Sequence, residues 1–193
     1  VKAGTVIGKV GHLHGNFDFG MVDYRITHKS ANPERYNTNT LHIVCPFDQF
    51  TPEVKDQIYA KVKRTAEPRC GTVMQDIPGT LRGNWFYGAN ATAETEWERH
   101  LSFVHDAGDP SKSVIAVAGI ISGPTKQVFT PKSEGLVDRE FSQVTSDGNT
   151  YCYNLASGMI VLRMTSSMEL EIEKQSGSCG AAFQLKSPTM YGR

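Results

Sequence analysis

Asp147-Gly-Asn-Thr-Tyr-Cys-Tyr-Asn154-Leu-Ala-Ser-Gly158-Met-Ile-Val-Leu-Arg-Met164-Thr-Ser-Ser-Met-Glu169-Leu-Glu-Ile-Glu173 reads as three short strands in succession. Thr150–Asn154 and Met159–Met164 are rich in aromatic and branched residues, and Ser157-Gly158 punctuates them as a turn. In the third run Glu169, Glu171 and Glu173 alternate with Leu170 and Ile172. That alternation gives a strand with one wet face and one buried face. Asp147-Gly148, in front of the first run, is the strongest short-range hairpin signal in the chain.

The same texture extends outward in both directions. Further candidate strands are Thr72–Gln75, Thr80–Tyr87, Leu101–His105, Val114–Ile121, Lys126–Phe129, Glu140–Thr145 and Ala182–Leu185, with turns at Pro78-Gly79, Asp109-Pro110 and Ser122-Gly-Pro124. Short strands at roughly ten-residue spacing predict a mainly β, antiparallel sandwich or barrel-like domain over residues 28–193. Upstream, residues 28–40 are polar and read as a loop, and Leu41–Cys45 reads as a strand. One short helix follows. Thr51 is a plausible N-cap, Pro52 suits the first helical position and Glu53 complements the positive end of the dipole. Val54, Ile58 and Val62 repeat on one face, so the helix is expected to pack against a sheet, with Lys61, Lys63 and Arg64 at its negative end.

Composition sets the class. A chain of 193 residues with 39% hydrophobic and 21% charged residues supports a sizeable core. Zero formal net charge lacks the electrostatic footprint of a nucleic-acid or anionic-membrane binder. No apolar run approaches the roughly 20 residues that span a bilayer. Cys45, Cys70, Cys152 and Cys179 include no C-x-x-C pair. Pairing Cys45 with Cys70 and Cys152 with Cys179 would close two loops of roughly 25 residues, each adding about 3 kcal/mol. Such bridges imply an oxidising, extracytoplasmic compartment, secreted or periplasmic.

At the other end, Thr5–Gly11 and Phe17–Arg25 read as two strands of an N-terminal β-hairpin over residues 1–27. Phe17, Phe19 and Met21 share one of its faces. Alone such a hairpin is marginal, so it needs a sheet to join. Val1-Lys-Ala-Gly-Thr-Val-Ile-Gly-Lys-Val-Gly11 resembles a late segment of the M23 (lysostaphin-like) metallopeptidase β-fold, in which V-x-x-G-x-x-I-G-x-V-G leads into a strand H-L-H-F-E-V. It also looks like the closing half of a biotinyl/lipoyl-type domain. The resemblance covers about an eighth of the chain and implies that residues 1–27 complete a sheet begun upstream. The metallopeptidase chemistry uses zinc held by histidines and an aspartate, with water at an open position. Aligned by strand context, Asn16 and Asp18 replace the family's histidines, which implies a degenerate, non-catalytic domain. Aligned by letters, His12-Leu-His14 supplies an H-x-H pair, with Asp18 or Asp23 completing a zinc shell.

Two further clusters carry chemistry. His105, oriented by Asp106 or Asp109, is a candidate general base; His100 lies at an odd separation, on the opposite strand face. Trp85 and Tyr87 are candidate stacking platforms for a sugar or peptide, although a strand of this composition also suits a core. Asn90-Ala-Thr92 is a formal glycosylation sequon. These readings converge on an extracytoplasmic, non-catalytic binding or structural module within a larger protein, with cell-wall or other extracellular polymer as the expected partner and no cofactor. The alternatives are a zinc-dependent peptidase acting on cell-wall peptide through His12 and His14, and a carbohydrate-binding module using Trp85 and Tyr87.

Overall fold

A computed structural model describes residues 2, 4–6, 8, 9, 19–180 and 182–193. The chain is mainly β. Eight strands form one antiparallel sheet that curls into a nearly closed barrel: β3 (Gly83–Phe86), β4 (His100–His105), β5 (Ser113–Val117), β6 (Thr125–Phe129), β7 (Tyr151–Leu155), β8 (Gly158–Met164), β9 (Glu169–Gln175) and β10 (Thr189–Gly192). The spatial order β6-β5-β4-β3-β10-β9-β8-β7 is two meanders, β3 to β6 and β7 to β10, joined where Gly192 of β10 pairs Phe86 of β3. Before the barrel come β1 (Met21–Val22), α1 (Thr38–Leu41), β2 (Ile43–Val44) and α2 (Pro52–Tyr59), with β1 pairing antiparallel to β2.

The stretch from Asp147 to Glu173 does what its pattern predicts. β7 and β8 turn at Ala156-Ser157, with Leu155 opposite Gly158. Gly158 sits at φ +102, and a Cβ there would collide with the Gln175 carbonyl of β9, so only glycine lets the three strands meet. Leu170 and Ile172 of β9 point inward and are fully buried.

The barrel interior is filled rather than hollow. Leu81, Trp85, Leu101, Phe103, Ile115, Phe141, Tyr153, Ile160, Leu162, Met164, Leu170 and Ile172 have no exposed surface or almost none. The expected strand Glu140–Thr145 is instead a 3-10 turn at Phe141–Gln143 that drives Phe141 into the barrel. Its ring lies 5.2 Å from Phe103, 5.7 Å from Phe129 and 5.4 Å from Tyr153, in edge-on or tilted contacts. The Asp147-Gly148 signal therefore marks a turn in front of β7, not a hairpin between two strands; the Asp147 carboxylate accepts from the Asn149 backbone and from the Tyr151 hydroxyl at 2.7 Å. The gap between β6 and β7 is spanned by residues 130–140, through a parallel bridge from Val137 to Cys152.

Segments that look like strands but are not serve as outer cover. Ala182–Leu185 forms no strand; Phe183 and Leu185 lie over Val161, Met159 and Cys152 on the outside of β7 and β8. Thr72–Gln75 is irregular, and Gln75 pairs with strand β4 by its side chain, accepting from the His105 amide and donating to its carbonyl. Leu41–Cys45 is split between the end of α1 and β2. The described strand of the N-terminal segment, β1, pairs with β2 inside residues 28–193. Residues 7, 10 and 11 of its expected hairpin partner, Thr5–Gly11, lie outside the described residues.

Both expected disulfides are present, Cys45–Cys70 and Cys152–Cys179. The second pins the outer cover to β7. The first joins the segments flanking α2, and it has more to do. The structure corrects the expectation that α2 packs on a sheet: none of its residues is buried, and Val54 is exposed. Arg64 does not decorate the helix end either. It is buried and donates to the carbonyls of Ala66, Pro68 and Ala107. Arg35 in the same way donates to Gly88, Ala89 and Ala91, and Arg69 to Tyr59 and Arg64. Hydrogen bonds of this charged kind contribute about 1.5–3 kcal/mol each. Arginine-to-carbonyl staples and a disulfide thus do for residues 30–75 what apolar packing does for the barrel.

Four tyrosines report on that packing in alkali. Burial pushes the Tyr151 and Tyr191 hydroxyls up to about 12, and pushes those of Tyr36 and Tyr153 upward as well. Their folded values lie above the unfolded value of about 10, so the stability they contribute is complete below about pH 10 and lost as pH rises toward 12. Phenolate absorbance is therefore expected to show these four protonated near pH 11 and ionising only as the barrel unfolds. Their ionisation with circular dichroism unchanged would contradict this packing.

Candidate functional site

The mouth of the barrel beside β4 and β5 is the place where titratable side chains converge. The register sets His105 opposite Ser113, beyond the inward pairs Phe103–Ile115 and Leu101–Val117. Both residues therefore point to the inner face at the end of the strands, where the apolar filling gives way to polar groups. Glu140, just before the Phe141 plug, reaches the same point. His105 Nε2 lies 3.0 Å from Glu140 Oε1, and the fully buried Ser113 donates to Oε2 at 3.4 Å.

A carboxylate accepts, so the tautomer of His105 that suits this contact donates through Nε2–H, and in that tautomer Nδ1 is the acceptor. Nδ1 has no partner among the described residues. His105 lines a cleft of 140 Å³ together with Arg64, Gln75, Arg82, Asp106 and Pro110. Arg82 donates through Nη2 to Gln75 Oε1 at 3.2 Å, and among the described residues its buried Nε has no acceptor and no carboxylate lies at ion-pair distance from it. Burial lowers its pKa, and the Glu140 charge opposes that shift. Gln75 Oε1 also accepts from the His105 amide at 2.8 Å, which locks His105 and Arg82 into one frame.

The expected orienting groups for His105 are corrected here. Asp106 accepts from the amides of Gly108 and Asp109, and Asp109 from the amide and hydroxyl of Ser111. Those bonds hold both carboxylates in the turn that follows β4 and lower their pKa. Glu140 takes the role instead, 35 positions away, where no local spacing could reveal it. His100 is satisfied by the Thr92 and Thr95 carbonyls at 2.8 Å and packs edge-on against Phe86.

Trp85 is corrected as a ligand platform. It has no exposed surface, its Nε1 donates to the Leu81 carbonyl, and the Arg193 guanidinium lies 4.1 Å from the ring centre. Tyr87 is 38% exposed and Trp97 64%, so near this strand it is they, not Trp85, that offer aromatic surface to solvent. His12, His14 and Asp18 lie outside the described residues. Asp23 is engaged by Arg25, whose hydrogen bonds lower it to about 2. Among the described residues no three histidine, cysteine or acidic side chains converge as a metal site, and no helix is long and apolar enough to cross a membrane.

Two other hollows are less suited to recognition. An open trough of 530 Å³ beside Cys45–Cys70 has both its cations committed, Lys55 to Asp48 and Arg69 to backbone carbonyls. An apolar groove of 300 Å³ between Ile26, Ile43, Val44 and Val73 offers almost no polar group to orient a ligand. Comparison of the chain with protein-family models, with curated proteins and with solved structures found no significant match in any of the three.

Proposed function

We propose that the chain is an extracytoplasmic, non-catalytic binding or structural module of a larger protein that carries a degenerate lysostaphin-like domain. The observation that supports this most is the filled barrel. Trp85, Phe103, Phe141 and Tyr153 occupy the space that a ligand would take in a hollow barrel, so recognition falls to the mouth and outer surface. Two disulfides favour an oxidising compartment, whether secreted or periplasmic.

Sedimentation with insoluble cell-wall peptide polymer, with and without added zinc, tests the proposal. The expected result is retention of the chain in the pellet with no peptide released. Zinc-dependent release of peptide, abolished by His14→Ala, would overturn it in favour of the peptidase. A chain that stays in the supernatant with wall polymer and with polysaccharide would remove the binding function and leave the structural one.

A further inference from the structure

We infer that the cleft between Arg82 and His105 binds a terminal carboxylate whose neighbouring atom carries a hydrogen-bond donor, as in the C-terminus of a peptide or a 2-hydroxy acid. This deepens the binding reading and rests on it.

Three features carry the inference. Arg82 brings a cation into the cleft with no carboxylate in direct contact among the described residues, the Glu140 charge acting on it only from a distance, and its one side-chain bond, to Gln75, leaves donors open. Guanidinium and carboxylate match as planar forks with two parallel charge-assisted hydrogen bonds, which a neutral group does not supply. His105 adds the second element. Its Nε2 faces Glu140, so the open ring position is Nδ1, and in the tautomer that donates Nε2–H to the carboxylate this atom accepts from a donor next to the ligand's carboxylate. Size adds the third. A cleft of 140 Å³ holds the equivalent of about four or five waters at about 30 Å³ each, enough for a carboxylate and its flanking amide or hydroxyl but not for a whole polymer chain. The acid in the lining, Asp106, is engaged elsewhere: it accepts from two backbone amides and lies 3.6 Å from Lys126. Gln75 holds both recognition groups in place before any ligand arrives, which lowers the ordering cost of binding.

The test is a titration of the ¹⁵N-labelled whole chain near neutral pH, following the Arg82 Nε–H and His105 ring resonances. N-acetylalanine is expected to move both saturably with a Kd in the millimolar range, about what so small a ligand can reach. N-acetylalaninamide, which lacks the charge, is expected to move neither, and acetate, which lacks the donor, to bind about tenfold more weakly. Lactate separates the two sources: binding as tight as that of N-acetylalanine assigns the cleft to hydroxy acids, and weaker binding assigns it to peptide ends. In Arg82→Gln the N-acetylalanine response is expected to vanish. Equal responses to acid and amide, or no saturation in the wild type, would overturn the inference without any need for the variant to fold. If the Arg82→Gln chain still sediments with wall polymer while N-acetylalanine fails to bind the wild type, this site is wrong and the binding reading stands. If the wild type binds neither, both fail.

Discussion

Asp76→Ala is expected to destabilise the protein by about 3 kcal/mol, and to release residues 30–75 before the barrel melts. Asp76 is nearly buried at the seam between that outer layer and strand β3. Its Oδ2 accepts from the Ala31 amide at 3.2 Å and from the Tyr36 hydroxyl at 3.0 Å, and its Oδ1 from the Asn84 amide at 2.9 Å. The network continues through the Asn84 side chain to Tyr36 and Ser102, so one carboxylate joins three segments far apart in the chain. Gly83 makes this approach possible: it sits at φ +125, and a Cβ there would fall on the Asp76 carboxylate. Its charge also favours the buried Arg193 cation, whose pKa burial nonetheless lowers to about 10. Alanine strands three donors and removes that charge; asparagine keeps the shape, accepts at one oxygen, and is expected to cost about half as much. Urea midpoints give the magnitudes, and limited proteolysis gives the order. An Asp76→Ala chain that unfolds in one step, with no early cleavage within residues 30–75, would show that the carboxylate does not hold this seam.

How far the sequence anticipates these features depends on whether a segment's pattern has a single cause. Leu170 and Ile172 alternate with glutamates because β9 has one dry face, and nothing else makes that pattern, so its reading is secure. Ala182–Leu185 and Glu140–Thr145 are apolar for other reasons. One covers the outside of β7 and β8, and the other plugs the barrel through Phe141, so their composition imitates strands that do not exist. The reverse error falls on β10, Thr189–Gly192, a short run after Pro188 that is not among the candidate strands yet joins the two meanders between β9 and β3. The disulfide partners were legible because each lies close in sequence, at separations of 25 and 27. The candidate site was legible only in half. His105 stands out by residue type, but Glu140, Arg82 and Gln75 reach it through the register of β4 and the course of two loops, and no local spacing encodes that meeting. Burial of Trp85 follows from the same long-range geometry. The strand is covered on both faces, by the barrel filling on one side and by Tyr36 and Ala91 on the other, so alternation could not say which aromatic would face solvent.

Phe141→Ala is expected to cost about 3–5 kcal/mol, the largest effect of any single apolar truncation in this barrel. Phe141 has no exposed surface, and its ring is the common neighbour of Phe103, Phe129 and Tyr153, which come from three different strands. Those strands include β6 and β7, the two edges that no ladder joins, so the ring replaces some of the cohesion that closed pairing would supply. It also sits next to Glu140, and its anchorage keeps that carboxylate against His105. Truncation should therefore leave an apolar hollow inside the barrel and loosen the cleft at its mouth. Leucine fills part of the space and is expected to cost less than half as much. A dry apolar cavity of this size takes up small hydrocarbons, so benzene is expected to raise the melting temperature of Phe141→Ala while leaving the wild type unchanged. Calorimetry with and without benzene reads both effects. A loss below about 1 kcal/mol, or a benzene response equal to that of the wild type, would mean that the barrel collapses around the missing ring and that the plug does not hold its edges together.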